Sequence, residues 1–153
     1  MVEVPAGCDQ GLQGDLPRLP GDKDIVVLPC WRRPEFLWHC LDNLTRAEGI
    51  DSVHVLFRPD TGFSPNNLEA IQTFADRLSS FEIHVADPCP FRRTKQSANV
   101  LLGYLDAGRR ARQFVFLIEE DIMVARDFFR WHRAVHAQQP GLFLFYCRKE
   151  PQP

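Results

Sequence analysis

The run Phe114-Val115-Phe116-Leu117-Ile118 breaks off into three consecutive carboxylates, Glu119-Glu120-Asp121. Five apolar residues without polar alternation have the length of a buried strand, the kind found in parallel sheets covered on both faces. In open α/β sheets, ligands sit just beyond the carboxyl ends of the strands. Three adjacent acids there repel one another unless a cation or a ligand's donor groups compensate them. Mg²⁺ and Mn²⁺ do so readily, taking one or two protein carboxylates together with phosphate oxygens. The plainer alternative is a solvated acidic turn before the next helix, with Asp127 helping that helix's N-terminus.

The rest of the chain fits an α/β fold. Ile25-Val26-Val27-Leu28 reads as the first strand. Pro34 opens a helix that places Leu37, Cys40, Leu41 and Leu44 on one face. Val53 to Phe57 reads as a second strand, and Ser64-Pro65 as the start of a helix carrying Leu68, Ile71, Ala75 and Leu78. Phe81 to Ala86 alternates Phe81, Ile83 and Val85 against Glu82 and His84, which predicts a third strand, ended by Asp87-Pro88-Cys89-Pro90. Thr94 can cap a helix with Ala98, Leu101, Leu102 and Leu105 on its apolar face, stopped by Gly108. A further helix is expected from about Asp127 to Ala137, and Leu142 to Tyr146 is a fifth apolar run. Strands alternating with helices indicate βαβ units and a mainly parallel sheet with flanking helices. Residues 1–24, rich in Gly and Pro and without apolar periodicity, read as a flexible leader to one domain over 25–153.

Composition narrows the partners. A chain of 153 residues with 44% hydrophobic and 25% charged residues can bury a core. A net charge of −2 argues against a nucleic-acid binder, whose basic face raises the pI. Its cations are nevertheless 15 Arg against 3 Lys, and the arginine fork suits phosphate oxygens. Five cysteines without CxxC spacing predict neither a zinc cluster nor a disulfide framework, which fits a reduced, cytoplasmic-type setting. No signal peptide and no run near the roughly 18 apolar residues of a membrane span is visible.

Other strand-helix junctions also carry polar residues. Pro29-Cys30-Trp31-Arg32-Arg33-Pro34 follows the first strand. It holds no Gly-rich phosphate loop, but its arginine pair can meet a phosphate or a base at the helix N-terminus, or can be surface charge. Arg58-Pro59-Asp60-Thr61-Gly62 follows the second strand; Asp60 can accept a base imide N–H, or the segment is an ordinary turn. Phe91-Arg92-Arg93-Thr94-Lys95 leads into a helix, where cations suit a pyrophosphate or simply remain solvated. His132 and His136 share a helical face without the Glu of a metalloprotease motif, which disfavours zinc there. Trp31, Trp38 and Trp131 read as packing residues.

Together these junctions resemble the nucleotide-sugar half of a GT-A-fold glycosyltransferase. The likeness is to the mannoside N-acetylglucosaminyltransferases and, more broadly, to family-2-type glycosyltransferases, and it runs from about Ile25 to His136. Its most specific part is Ile118-Glu119-Glu120-Asp121-Ile122-Met123-Val124-Ala125-Arg126-Asp127-Phe128-Phe129: an acid triplet, a hydrophobic connector and an Asp-Phe-Phe helix start. The resemblance implies a Rossmann-like GT-A fold in which Asp121 ligates Mn²⁺ or Mg²⁺ on a donor diphosphate, while Glu119 and Glu120 contact ribose or sugar. It implies that Cys30 and Arg32, as Cys-x-Arg, hold the nucleotide and that Asp60 reads uracil. The helix bearing Lys95 and Asn99 would pass beneath the nucleotide, with Arg92 and Arg93 assisting at the diphosphate.

The chain departs from the family in having Glu120 where the middle acid is usually Asp. The family's acceptor half and catalytic base lie beyond the fifth strand, so the fold is expected to be truncated here and no base can be named. The implied partners are a nucleotide-sugar donor, an unidentified glycan or small-molecule acceptor, and a partner chain or C-terminal half supplying what is missing. Two rivals remain: a non-catalytic nucleotide-sugar-binding or interaction domain, and a sugar nucleotidyltransferase. The latter lacks its Gly-rich, basic loop after the first strand.

Overall fold

The computed structural model describes residues 21–86 and 95–139. Four parallel strands, β1 (Asp24–Cys30), β2 (Val53–Pro59), β3 (Phe81–Ile83) and β4 (Val115–Leu117), pair in the order β3-β2-β1-β4. Helices α1 (Pro34–Leu44), α2 (Pro65–Phe74), α3 (Lys95–Arg110) and α4 (Phe128–Gln138) connect or follow them. No helix among the described residues is long and apolar enough to cross a membrane. Most of the expected leader (residues 1–20), the Asp87–Pro90 turn, the Thr94 cap and the Leu142–Tyr146 run lie outside the described residues.

β1 is central because each of its seven residues is buried, the hallmark of a strand covered on both faces. Val26, Leu28 and Cys30 join Leu37, Cys40, Leu41 and Leu44 of α1, Ala70, Ile71 and Phe74 of α2, and Phe129 of α4 in the main core. Ile25 and Val27 face the other way, toward Leu56 and Ala107 of α3. α1 forms as its periodicity predicts, with Pro34 in its first turn, where a missing N–H removes nothing from the helix. α2 turns its buried face by one position: Asn67, Ala70, Ile71 and Phe74 are inside, whereas Leu68 is only half-buried. Ser64 precedes α2 but makes no side-chain cap.

The register of β1 with β2 runs from Asp24 opposite Val53 to Cys30 opposite Pro59, so the two strands end together. β4 pairs only over its three central residues, but Phe114 O accepts from Ile25 N and Ile118 N donates to Val27 O. The whole five-residue run therefore lies along β1. Its expected two-sided burial is corrected: β4 is an edge of the described sheet, and Leu117 is exposed.

Two expected faces are inverted. On α3 the leucines point outward, with Leu101 at 58% exposure, while Asn99, Gly103, Asp106 and Ala107 are buried. On β3, Phe81, Ile83 and Val85 are exposed, and Glu82 and His84 are half-buried. One cause explains both. β2 presents His54 and Arg58 on the face beneath α3, so the covering helix must bring polar partners rather than leucines. Arg58 Nε donates to Asn99 Oδ1, and Arg110 pairs with Asp106 and with Glu82. Gly103 permits the close approach: a Cβ there would stand 3.0 Å from Val27 Cγ1. The helix also runs past Gly108 to Arg110.

His54, with Nε2 3.8 Å from Glu82 Oε1, and the Arg110 guanidinium together lower the Glu82 carboxyl from 4.5 to about 2. A carboxylate with a depressed folded pKa stabilises the fold above its unfolded value and loses that contribution as pH falls through the folded one. Thermal unfolding should therefore show stability draining between about pH 4.5 and about 2. Glu82→Gln should be less stable at neutral pH and lack that component of the acid dependence.

Candidate functional site

The carboxyl ends of β1, β2 and β4 meet at an open cleft of about 290 Å³. Pro29, Cys30, Trp31 and Arg33 come from the β1–α1 junction, Asp60 from the end of β2, Gln96 and Asn99 from α3, and Glu119 and Glu120 from the turn after β4. Three junctions that are distant in sequence thus converge because their strands are neighbours in register.

Glu120 is the centre of this convergence. Its side chain is only 5% exposed, and both oxygens are engaged: Oε2 accepts from Trp31 N at 2.8 Å and Oε1 from Arg33 Nε at 2.9 Å. Arg33 Nη1 donates to Asp121 Oδ2 at 2.8 Å. The triplet is therefore more than a helix-capping turn, and Asp127 makes no side-chain cap on α4. Arg33 is itself the residue preceding α1, and its carbonyl accepts from Phe36 N and Leu37 N. Its backbone starts the helix while its guanidinium reaches the acids, whose charge raises its pKa, Glu120's hydrogen bond first.

The remaining predicted residues take distinct places. Asp60 is buried, and its Oδ1 accepts from Thr61 N at 2.8 Å. Its backbone N–H donates to Cys30 O, which joins the ends of β1 and β2. Arg32 turns away from the triplet: its Nε donates to Gly62 O at 2.8 Å and its guanidinium lies 4.9 Å from the Trp31 ring. Gly62 has φ +78°, a left-handed turn that suits glycine. Asn99 lines the cleft with both amide ends on Arg58, accepting from its Nε and donating to its carbonyl. Glu119 is exposed at the cleft wall. Lys95 opens α3, and its side chain, like Arg92 and Arg93, lies outside the described residues.

Cys30 and Cys40 are buried free thiols. Burial, with Glu120's charge adding for Cys30 and those of Asp121 and Glu120 for Cys40, pushes each up to about 12. Thiols held that high are protonated at neutral pH and are not nucleophiles. Trp31, Trp38 and Trp131 are exposed and pack at the surface, Trp38 edge-on to Phe74, Trp131 edge-on to His132 and Trp31 under the Arg32 guanidinium. His132 and His136 lie near-parallel beside Phe114, Phe116 and Phe128, in an aromatic setting.

Sequence reasoning missed two residues. Arg33 was legible only as half of an arginine pair. Asn67 donates through Nδ2 to Trp31 O at 2.9 Å and is fully buried. Its signal was a polar residue at a core-periodic position of α2.

A divalent ion in this corner would meet hard oxygen donors, which suit Mg²⁺ or Mn²⁺. Among the described residues no three His, Cys, Asp or Glu side chains converge as a ready cage. Glu120 is fully engaged, whereas Asp121 is 32% exposed. The residues therefore fit an ion held by one protein carboxylate, with phosphate and water oxygens completing its shell.

This architecture has solved counterparts. The chain is similar in fold to S. aureus TarS. One TarS structure matches with a TM-score of 0.59 at 13% identity over 76% of this chain. TarS 1–349 in complex with UDP matches at 0.58 and 11% identity, and in complex with UDP-GlcNAc at 0.57 and 11%. The chain spans between 20% and 38% of the length of the TarS chains it matches. No family model and no curated protein matches the sequence. The likeness establishes the fold alone, a parallel four-stranded α/β sheet with flanking helices, as the alternation of strands and helices predicts.

Alkylation at pH 8, mapped by peptide mass, should leave Cys30 and Cys40 unmodified in the folded chain and label both after denaturation. Labelling of Cys30 in the folded state would show its thiol to be less buried and less suppressed than described.

Proposed function

We propose that the cleft binds the donor of a glycosyl transfer, a nucleoside-diphosphate sugar with uracil as its base. The observation that carries this reading is the junction of Glu120 and Asp121 with the β1–α1 loop through Arg33, facing Asp60 across the same cleft. The fold likeness to TarS, solved with UDP and with UDP-GlcNAc, supports it.

Asp60 is the base-reading carboxylate in this account: Oδ1 is held by Thr61 N, which fixes the group at the cleft wall. Cys30 packs the floor as a neutral thiol, and Arg32 lies beside Trp31 at the rim, within the junction that would border the base or ribose. Lys95 and Asn99 belong to the helix beneath the nucleotide, and Arg92 and Arg93 precede it as cations for the diphosphate. Glu119 contacts ribose or sugar. Glu120 contributes by fixing Trp31 and Arg33.

Asp121 is the proposed ligand to Mn²⁺ or Mg²⁺, the one triplet carboxylate both exposed and close to the arginine. Such an ion supplies neutralisation of the charge that develops on a leaving diphosphate. The chain's own part is to orient the donor and to hold cations where that charge appears. The acceptor, and the base that deprotonates it, are not assigned.

Isothermal calorimetry with UDP and Mn²⁺ tests the reading. Wild type should bind UDP with Mn²⁺ present, and Asp121→Asn should lose about tenfold or more, the scale of one lost charge-assisted contact of about 1.5 kcal/mol. Absence of binding in wild type, or equal binding in the variant, would overturn it. Asp60→Ala should weaken uridine as well as UDP, because its contact is to the base.

A further inference from the structure

Arg33 pairs with Asp121, the carboxylate proposed above as the metal ligand, and its geometry is divided. The Nε end is anchored on Glu120, which is buried, and the Nη1 end reaches Asp121, which is not. Among the described residues the structure shows no hydrogen bond from Nη2. One half of the guanidinium is therefore fixed and the other half faces the cleft.

We propose that Arg33 is the resident cation of the acid triplet and that it exchanges partners when a diphosphate binds. Nη1 leaves Asp121 and, with Nη2, turns to phosphate oxygens, while Nε stays on Glu120 as the pivot, and Asp121 Oδ2 becomes free for a divalent ion. This rests on the donor-site reading above.

The physical case is one of competition. A guanidinium 2.8 Å from Asp121 Oδ2 occupies the oxygen that a divalent ion would take, and its charge repels that ion. Displacing it without a replacement anion would leave Arg33 unbalanced toward the cleft. A diphosphate removes both obstacles, because it offers the fork a bidentate partner of higher charge than a single carboxylate. The pair that must break is the exposed one, and exposed pairs are weak. In the pair that persists the carboxylate is buried, where loss of its partner is costly. The metal site is accordingly closed in the ligand-free chain and opened by the phosphates.

The experiment measures Mn²⁺ alone, without nucleotide, by electron paramagnetic resonance of the free ion. Arg33→Met should bind Mn²⁺ at least about tenfold more tightly than wild type, the scale of a single nearby charge removed. Arg33→Lys, which keeps the charge, should stay close to wild type. Arg33→Met combined with Asp121→Asn should lose the gain. Arg33→Gln keeps an N–H for Glu120 without the charge and reads the same quantity should the Met variant unfold. Equal or weaker Mn²⁺ binding in the folded neutral variant, or a gain that survives Asp121→Asn, would overturn the proposal. Because no nucleotide is present, failure to bind UDP would count against the donor reading alone and leave this comparison readable.

Discussion

The site depends on one buried carboxylate. Glu120 sits at the end of an edge strand, and burying a charge there is costly unless donors meet it. They come from across β1: the Trp31 N–H and the Arg33 Nε. Trp31's carbonyl is taken in turn by Ser64 N and Asn67 Nδ2 at the start of α2. The chain Glu120–Trp31–Asn67 therefore fastens three strand-helix junctions into one rim. The middle acid is a Glu between a Glu and an Asp, and its length accounts for its place. A longer side chain can retract its carboxylate beneath the β1–α1 loop, leaving the shorter Asp121 at the surface.

What was legible in the sequence was whatever local pattern alone decides. The all-apolar run of β1, the Pro34 start and i, i+3, i+4 spacing of α1, and the break at Glu119 each appear where expected, because each reports burial or capping that no distant residue can reverse. Asp60, Glu119 and Glu120 share one cleft because parallel strands end on the same side, whereas Cys30 and Asn99, which also line it, were named only through the family resemblance. The pairing of Arg33 with Glu120 and Asp121 was not legible, since 87 and 88 residues separate the partners. Nothing local distinguishes Arg33 from Arg32, yet one joins the acids and the other rests on Gly62 and Trp31.

The failure on α3 and β3 has the same origin in a more instructive form. Hydrophobic periodicity assumes that the apolar side faces inward, which holds only when the surface to be covered is apolar. Here β2 carries His54 and Arg58 into the covered face, and the cost of leaving them unpaired exceeds the gain from burying a few leucines. Asn99, Asp106 and Arg110 are brought in, and Gly103 lets the helix sit close enough for them to reach. Leu101, Leu102 and Leu105 are left outside as a consequence. A polar residue inside an otherwise buried strand is thus the signal that should reverse the helix's expected face.

These two polar arrangements answer different needs. Beneath α3, Glu82 and Asp106 meet Arg110 within the protein, and Glu82's lowered pKa reflects its His54 and Arg110 partners. At the cleft, balance is only partial. Glu119, Glu120 and Asp121 place three negative charges where an anionic diphosphate would have to approach, and the bare triplet would turn it away. Arg33 balances part of that charge, and its bond to the second carboxylate lies at the surface, where ion pairs are weak. Had both acids been buried, the corner would be rigid and closed to ligands. Had neither been buried, Arg33 would have no fixed point from which to turn. The division between a buried Glu and an exposed Asp gives the corner one firm bond and one weak one, which is what the proposed exchange of partners requires.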